Sequence, residues 1–209
     1  ARHSMRLEEA REAAEIQAFT DPLTGLLNRR GFELAFSLAV ESRNAPAERA
    51  QQFAILQLDL DRFKDVNDSF GHAAGDAVLR RVAEVLQQET RADDRIARIG
   101  GDEFLVLLPG LRSTTALMQL GRRIIDAIQQ PVWYERHLCR VSASIGAALS
   151  DSYAAITADQ ILSDVDEALY AAKHDGRACM RLYESGLFDS RHASDPHVDA
   201  DCQLGGGPD

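Results

Sequence analysis

The chain is poor in cysteine: Cys139, Cys179 and Cys202 are the three in 209 residues, odd in number and widely spaced. There is no Cys-x-x-Cys pair and no Cys/His cluster. A zinc site and a disulfide framework therefore lack support, and ordinary reduced thiols are expected. No apolar run approaches the ~18 residues of a membrane span, and no signal-peptide pattern is present. The expected location is cytoplasmic, either free or as the cytoplasmic part of a longer, membrane-attached protein. Basic charge is scarce too: 23 Lys and Arg against 33 Asp and Glu leave a net charge of −10. A nucleic-acid backbone needs a basic surface, so DNA and RNA are excluded as main partners. A single nucleotide is not excluded, because a metal and a few cations can hold a triphosphate inside an acidic protein. Standard phosphate motifs are also missing. There is no GxxxxGK[ST] and no GxGxxG, and the segment Gly71-His-Ala-Ala-Gly75-Asp76 has no P-loop lysine. An EF-hand starting at Asp59 fails, because Phe63 falls on a ligand position and the required glycine and final Glu are absent.

What is present suffices for one α+β domain, with 45% hydrophobic residues to fill a core. Residues 1–19 are rich in Ala, Glu and Arg and read as a linker or signalling helix that pairing with a second copy would stabilise. Thr20-Asp21-Pro22 ends it. A helix is expected from about Asn28, with Phe32, Phe36 and Val40 on one face. Residues 53–60 read as a mostly buried strand ending at Asp59 and Asp61. Val78, Val82, Val85 and Leu86 mark a helix. Residues 95–99 and 104–108 flank Gly100-Gly101 as a hairpin. Leu117, Leu120, Ile124 and Ile128 mark another helix. Residues 132–134 and 138–149 suggest a strand pair, Ile161, Val165, Leu169 and Ala172 a last helix, and residues 179–183 a closing strand. The expected domain covers 20–187, a mainly antiparallel central sheet surrounded by helices. Residues 188–209 read as a disordered tail, with little to bury.

Three places carry chemistry. Asp59 and Asp61 alternate to the same side of their strand, and carboxylates at the end of an apolar strand are costly unless solvated, paired or metal-bound. Asp59 with Asp102, at the tip of the Gly-Gly reversal, would make an all-oxygen site suited to magnesium; both are also what ordinary strand ends carry. Between residues 62 and 76, Lys64, Asn67 and Asp76 surround two glycines. An Asn can donate to and accept from a purine edge, and an Asp can accept from guanine N1–H and its exocyclic amine together. Each residue taken singly also suits a cap or a turn. Arg91-Ala-Asp-Asp94 offers a guanidinium and a carboxylate before the hairpin, either a charged loop or a clamp for phosphate and guanine.

Four blocks in order and spacing resemble one family. They are Asp21-Pro-Leu-Thr-Gly-Leu-Leu-Asn-Arg-Arg30, the stretch from Leu58-Asp-Leu-Asp-Arg-Phe-Lys to Gly75-Asp76, Arg98-Ile-Gly-Gly-Asp-Glu-Phe104, and Asp166-Glu-Ala-Leu-Tyr-Ala-Ala-Lys-His-Asp-Gly-Arg177. Over about residues 20–185 the chain resembles the GGDEF domain of bacterial diguanylate cyclases, with their palm-like nucleotidyl-cyclase fold.

The resemblance implies condensation of two GTP into cyclic di-GMP and two pyrophosphates. It implies Mg2+, with Mn2+ as a substitute, held by Asp59, Asp102, Glu103 and the Leu60 carbonyl. Glu103 would assist deprotonation of the attacking 3′-hydroxyl. Asn67 and Asp76 would read guanine, with Leu79 lining that pocket. The Phe63 backbone, Lys64, Gly100 and Gly101 would contact substrate, and Lys173 and Arg177, four apart on one face if the last helix reaches Arg177, would neutralise the triphosphate. Ala178 departs from the Asn that often follows Gly-Arg in the family. Arg91 and Asp94 would form a product-binding inhibitory site, with Arg122 as a further contact. Partners implied are GTP, cyclic di-GMP as product and inhibitor, a second copy paired through the N-terminal helix or the inhibitory site, and a sensory domain upstream. The competing reading is a non-catalytic module that binds GTP or cyclic di-GMP; an intact Asp59, Lys64, Asp102, Glu103, Lys173 and Arg177 argues against it.

Overall fold

The computed structural model describes residues 17–184. The expected tail lies outside the described residues, and so does the lead-in helix apart from residues 17–19, which are helical. The elements are α1 (Arg29–Arg43), β1 (Phe53–Asp61), α2 (Phe63–Phe70), α3 (His72–Glu89), β2 (Arg95–Gly100), β3 (Glu103–Pro109), α4 (Thr114–Ile128), β4 (Val132–Tyr134), β5 (His137–Cys139), β6 (Ser142–Leu149), α5 (Ala158–His174) and β7 (Met180–Leu182). A short 3-10 turn, Ser150–Ser152, follows β6. No helix among the described residues is long and apolar enough to cross a membrane.

The main sheet has the order β2-β3-β1-β6-β7. Its β1–β3, β1–β6 and β2–β3 pairs are antiparallel, and β7 joins β6 in parallel. Strand alternation sorts β1 between two cores. Ala54, Leu56, Leu58 and Leu60 bury into the larger one with α2, α3 and α4. Phe53 and Ile55 bury against Phe32 and Phe36 of α1 and Ile161 and Val165 of α5. Each such Leu, Ile or Phe contributes roughly 1.5–3 kcal/mol. The sheet is thus covered on both faces.

The odd-numbered face of β1 turns polar beyond Ile55: Gln57, Asp59 and Asp61 follow, all facing α5. Gln57 Nε2 donates to Asp166 of α5 at 3.3 Å. Helix α5 can lie this close because Gly146 of β6 has no side chain. A Cβ there would overlap the Val165 carbonyl and the Leu169 backbone, with Leu169 Cα at 2.9 Å. Thr157 starts α5, its hydroxyl accepting from Gln160 N–H at 3.2 Å.

Two expectations need correction, and one stretch adds an element. The stretch 138–149 is two strands in different sheets, because β5 pairs with β4 as a separate hairpin. Residues 63–70, for which no element was expected, form the helix α2. Helix α5 ends at His174, so Lys173 and Arg177 do not share a helical face. Gly176, Arg177 and Ala178 all have positive φ, at 105°, 64° and 49°, which turns the chain back toward β1.

Candidate active site

The β2–β3 hairpin reverses through Gly101 and Asp102, and Gly100 pairs with Glu103. Of the two glycines only Gly101 needs glycine's freedom, at φ 41°. A register shift between Arg98 and Gly100 marks a bulge that re-aims the tip. Two anchors hold it. The Leu60 N–H donates to the Asp102 carbonyl at 3.3 Å. Arg98 Nε donates to the Gly101 carbonyl at 2.9 Å, while its Nη1 donates to Asp21 at 3.2 and 3.3 Å. Asp21 also accepts from the Thr24 N–H and hydroxyl at 2.9 and 2.6 Å. Burial works against the Asp21 carboxylate, but the Thr24 hydrogen bonds and Arg98 outweigh it and hold its pKa below the usual value. Leu27 and the hairpin exchange two backbone hydrogen bonds, Leu27 N–H to Ile96 O and Arg98 N–H to Leu27 O.

Asp59 pairs in register with Glu103 on β3 and Ser144 on β6. Residues directly opposite each other point to one face, so Asp59 and Glu103 share the face beneath α5, next to Asp102. Lys173 of α5 reaches into this group, its Nζ 2.8 Å from Asp59 Oδ2. Burial pushes the Asp102 carboxyl above its usual range; the Asp59 charge acts in the same direction, and Lys173 and Arg98 oppose both. Two carboxylates held close enough to disturb each other are what a hard divalent cation neutralises. Among the described residues no cluster of three or more Asp, Glu, His or Cys has metal-binding geometry. Asp59 and Asp102 would therefore supply two ligands and need the Leu60 carbonyl, solvent or substrate oxygens to complete the shell.

Asp61, on the same face as Asp59, has a different task. It is buried, 6% exposed. Its Oδ1 accepts from the buried Ser144 hydroxyl at 2.8 Å and its Oδ2 from the Ala178 N–H at 3.0 Å; Arg177 Nε stands 3.9 Å away. Asp61 thus latches the turn after α5 to the end of β1 and fixes where Lys173 and Arg177 project. The alternation of Asp59 and Asp61 was visible in sequence, but the latch partner is 117 residues away.

Across the strand end, α2 begins with Phe63 after Arg62 at φ 61°, and no side chain caps it. Uncapped first-turn N–H groups suit an anion. Phe63 is nearly buried and Lys64 exposed. Asn67, on α2, faces Gly75 of α3; Asp76 is the next residue and Leu79 is buried below it.

Arg91 and Asp94 close a tight turn. The Arg91 N–H donates to Asp94 Oδ2 at 2.7 Å and the Asp94 N–H to the Arg91 carbonyl at 3.1 Å. Burial raises the Asp94 pKa against the pull of Arg91. The concavity of about 140 Å³ beside them is also lined by Glu89 and Arg123. Arg122 is not brought there. It is 83% exposed, 3.7 Å from Asp126, and lines a separate groove of about 740 Å³ with Met118 and Arg181. Successive helical residues point about 100° apart, and it is Arg123 that lines the concavity with Arg91 and Asp94. It is held by Glu89 at 2.9 Å.

Comparison with known proteins identifies the family. Residues 18–179 match the family model described as diguanylate cyclase, GGDEF domain. The chain is 39% identical over 180 residues to diguanylate cyclase TpbB of Pseudomonas aeruginosa, covering 86% of this chain and 40% of TpbB. It is 41% identical over 166 residues to the probable diguanylate cyclase DgcE of Escherichia coli, covering 78% of this chain and 14% of DgcE. It thus spans well under half of these relatives. Among solved structures, the isolated GGDEF domain of TpbB superposes with a TM-score of 0.76 at 40% identity, covering 84% of this chain and 99% of that one. The coiled coil and GGDEF domain of DgcB from Caulobacter crescentus, in complex with c-di-GMP, gives 0.78 at 26% identity, covering 86% and 93%.

Proposed function

The chain belongs to the GGDEF-domain family of diguanylate cyclases, and on that premise we propose that it condenses two GTP molecules into cyclic di-GMP with release of two pyrophosphates. The observation that carries the reading is the meeting of Asp59, Asp102 and Glu103 on one face of the sheet beneath Lys173, opposite the uncapped start of α2. Mg2+ fits the oxygen donors best and would be held by Asp59, Asp102, the Leu60 carbonyl and Glu103; Mn2+ has the same preferences. When bound, it supplies charge stabilisation at the phosphates.

Asn67 and Asp76 orient the guanine. Lys64, the first N–H groups of α2, Lys173 and Arg177 take the phosphate charge, and Gly100 and Gly101 let substrate approach the backbone. Glu103 accepts the proton of the 3′-hydroxyl. That oxygen bonds to the α-phosphorus of a GTP held on a facing second copy, the α–β phosphoanhydride bond breaks, and pyrophosphate leaves. The same exchange in the opposite direction closes the ring. One domain cannot align both reactants, so the active species is a dimer. Cyclic di-GMP acts back at Arg91 and Asp94, with Arg123 as the third contact. A GTP-consuming domain belongs on the cytoplasmic side, and segments outside the domain would bring the copies together.

The test is incubation of the purified chain with GTP and Mg2+, with products identified by mass. Cyclic di-GMP is expected, and Glu103→Gln should cut its formation by at least ~100-fold while leaving the fold intact. No cyclic di-GMP from the unaltered chain at any protein concentration, with GTP bound, would point instead to the non-catalytic module.

A further inference from the structure

We propose that Gly75 is a positioning residue for base recognition: its missing side chain is the space into which the Asn67 carboxamide is locked. The inference rests on the reading of Asn67 as a guanine contact and extends it to a residue that touches no substrate.

Helices α2 and α3 meet through a single connecting residue, Gly71. Gly75 is buried in the first turn of α3. A Cβ placed on it would overlap Asn67 Oδ1 and come within 3.0 Å of Asn67 Cγ and 3.1 Å of Phe63 Cζ. Gly75 is not among the residues with positive φ. Its backbone would therefore accept alanine, and alanine would favour the helix by about 0.8–1 kcal/mol. Local conformation gives no reason for glycine here; the reason is the neighbouring amide. The Asn67 backbone is fixed as well, its carbonyl accepting from the Gly71 N–H at 2.9 Å. With the main chain held, the open space at Gly75 is what lets the carboxamide take this orientation. Asp76 follows Gly75 directly, so the same contact sets the spacing between the two base-reading groups. A methyl at Gly75 must turn the amide away or push α2 from α3, and the Phe63 ring blocks part of that retreat. The loss then falls on holding the base, while Asp59, Asp102 and Glu103, on the other side of β1, keep their geometry.

The experiment compares Gly75→Ala, Asn67→Ala and the double variant in the full chain, reading KM and kcat for GTP together with Tm. Gly75→Ala should raise KM about tenfold with kcat within about twofold, the signature of lost binding common to ground and transition states. The double variant should be no worse than Asn67→Ala, because with the amide gone the methyl meets nothing polar to displace. It also keeps the test open should Gly75→Ala fold poorly, since removing the amide relieves the overlap. If Asn67→Ala raises KM but Gly75→Ala does not, or if the two losses add, the positioning role is wrong and the guanine reading survives. If Asn67→Ala leaves KM unchanged, the guanine reading of Asn67 fails and the inference falls with it.

Discussion

Asp59 and Asp61 sit two residues apart on one face of β1, yet their replacement should have opposite consequences. Asp61→Ala removes the acceptor for the Ser144 hydroxyl and the Ala178 N–H. Ser144 is fully buried, so its hydroxyl loses a partner without gaining water, at about 1–3 kcal/mol. Ala178 is exposed, and its N–H can rehydrate, so that bond counts for about 1 kcal/mol. The Arg177 pair, at 3.9 Å with Arg177 59% exposed, adds little. The sum is about 3 kcal/mol, which for a domain of this size lowers Tm by roughly 6–12 °C. Asp59→Ala loses the Lys173 contact but also relieves the repulsion that helps raise the Asp102 pKa, so its Tm should stay within about 2 °C. Thermal unfolding in metal-free buffer, followed by circular dichroism, decides the matter, and turnover gives the mirror image: Asp59→Ala inactive, Asp61→Ala weakened mainly through KM. A Tm loss for Asp61→Ala no greater than that for Asp59→Ala would refute the latch.

Asp102→Asn should raise Tm in metal-free buffer at pH 7 and abolish cyclisation. A carboxyl whose folded pKa is raised costs stability above that pKa, and the cost fades as pH falls toward the unfolded value of 3.8, so the Tm gap over wild type should close across that window; a gap that widens on acidification refutes it. Ala178→Asn should raise Tm by about 2 °C, because Ala178 holds φ 49° and Asn tolerates the left-handed region better; a lower Tm would argue against strain there. For inhibition, Arg123→Ala should raise the cyclic di-GMP concentration needed for half-inhibition at least about fivefold while Arg122→Ala leaves it unchanged, and the reverse pattern would restore Arg122 to the inhibitory site.

The strands and the amphipathic helices were legible because their apolar residues follow the sheet or helix period. Phe32 and Phe36, and Ile161 and Val165, read as helix faces and are buried as such. Helix α2 was not legible, since it is only eight residues long and buries only Phe63 and Val66 among charged neighbours. Where α5 ends was not legible, because nothing local to Arg177 announces a positive φ; the turn is held by Asp61, far away in sequence. Asp59 and Asp102 were named together from the strand end and the Gly-Gly reversal, and the structure adds the Lys173 contact. Arg122 and Arg123 are adjacent and chemically alike, and only the rotation of α4 against Glu89 and Asp94 separates them.

Asp21 and Arg98 are 77 residues apart along the chain and 3.2 Å apart in space. In mechanical terms they are a short, stiff linkage. A strain applied at residues 17–20 need not travel through the sheet to be felt at the Gly101–Asp102 reversal, because Arg98 grips Asp21 with one nitrogen and the Gly101 carbonyl with another. A displacement at Asp21 therefore has a direct route to the turn that carries Asp102, making the start of the domain a lever and the turn its load.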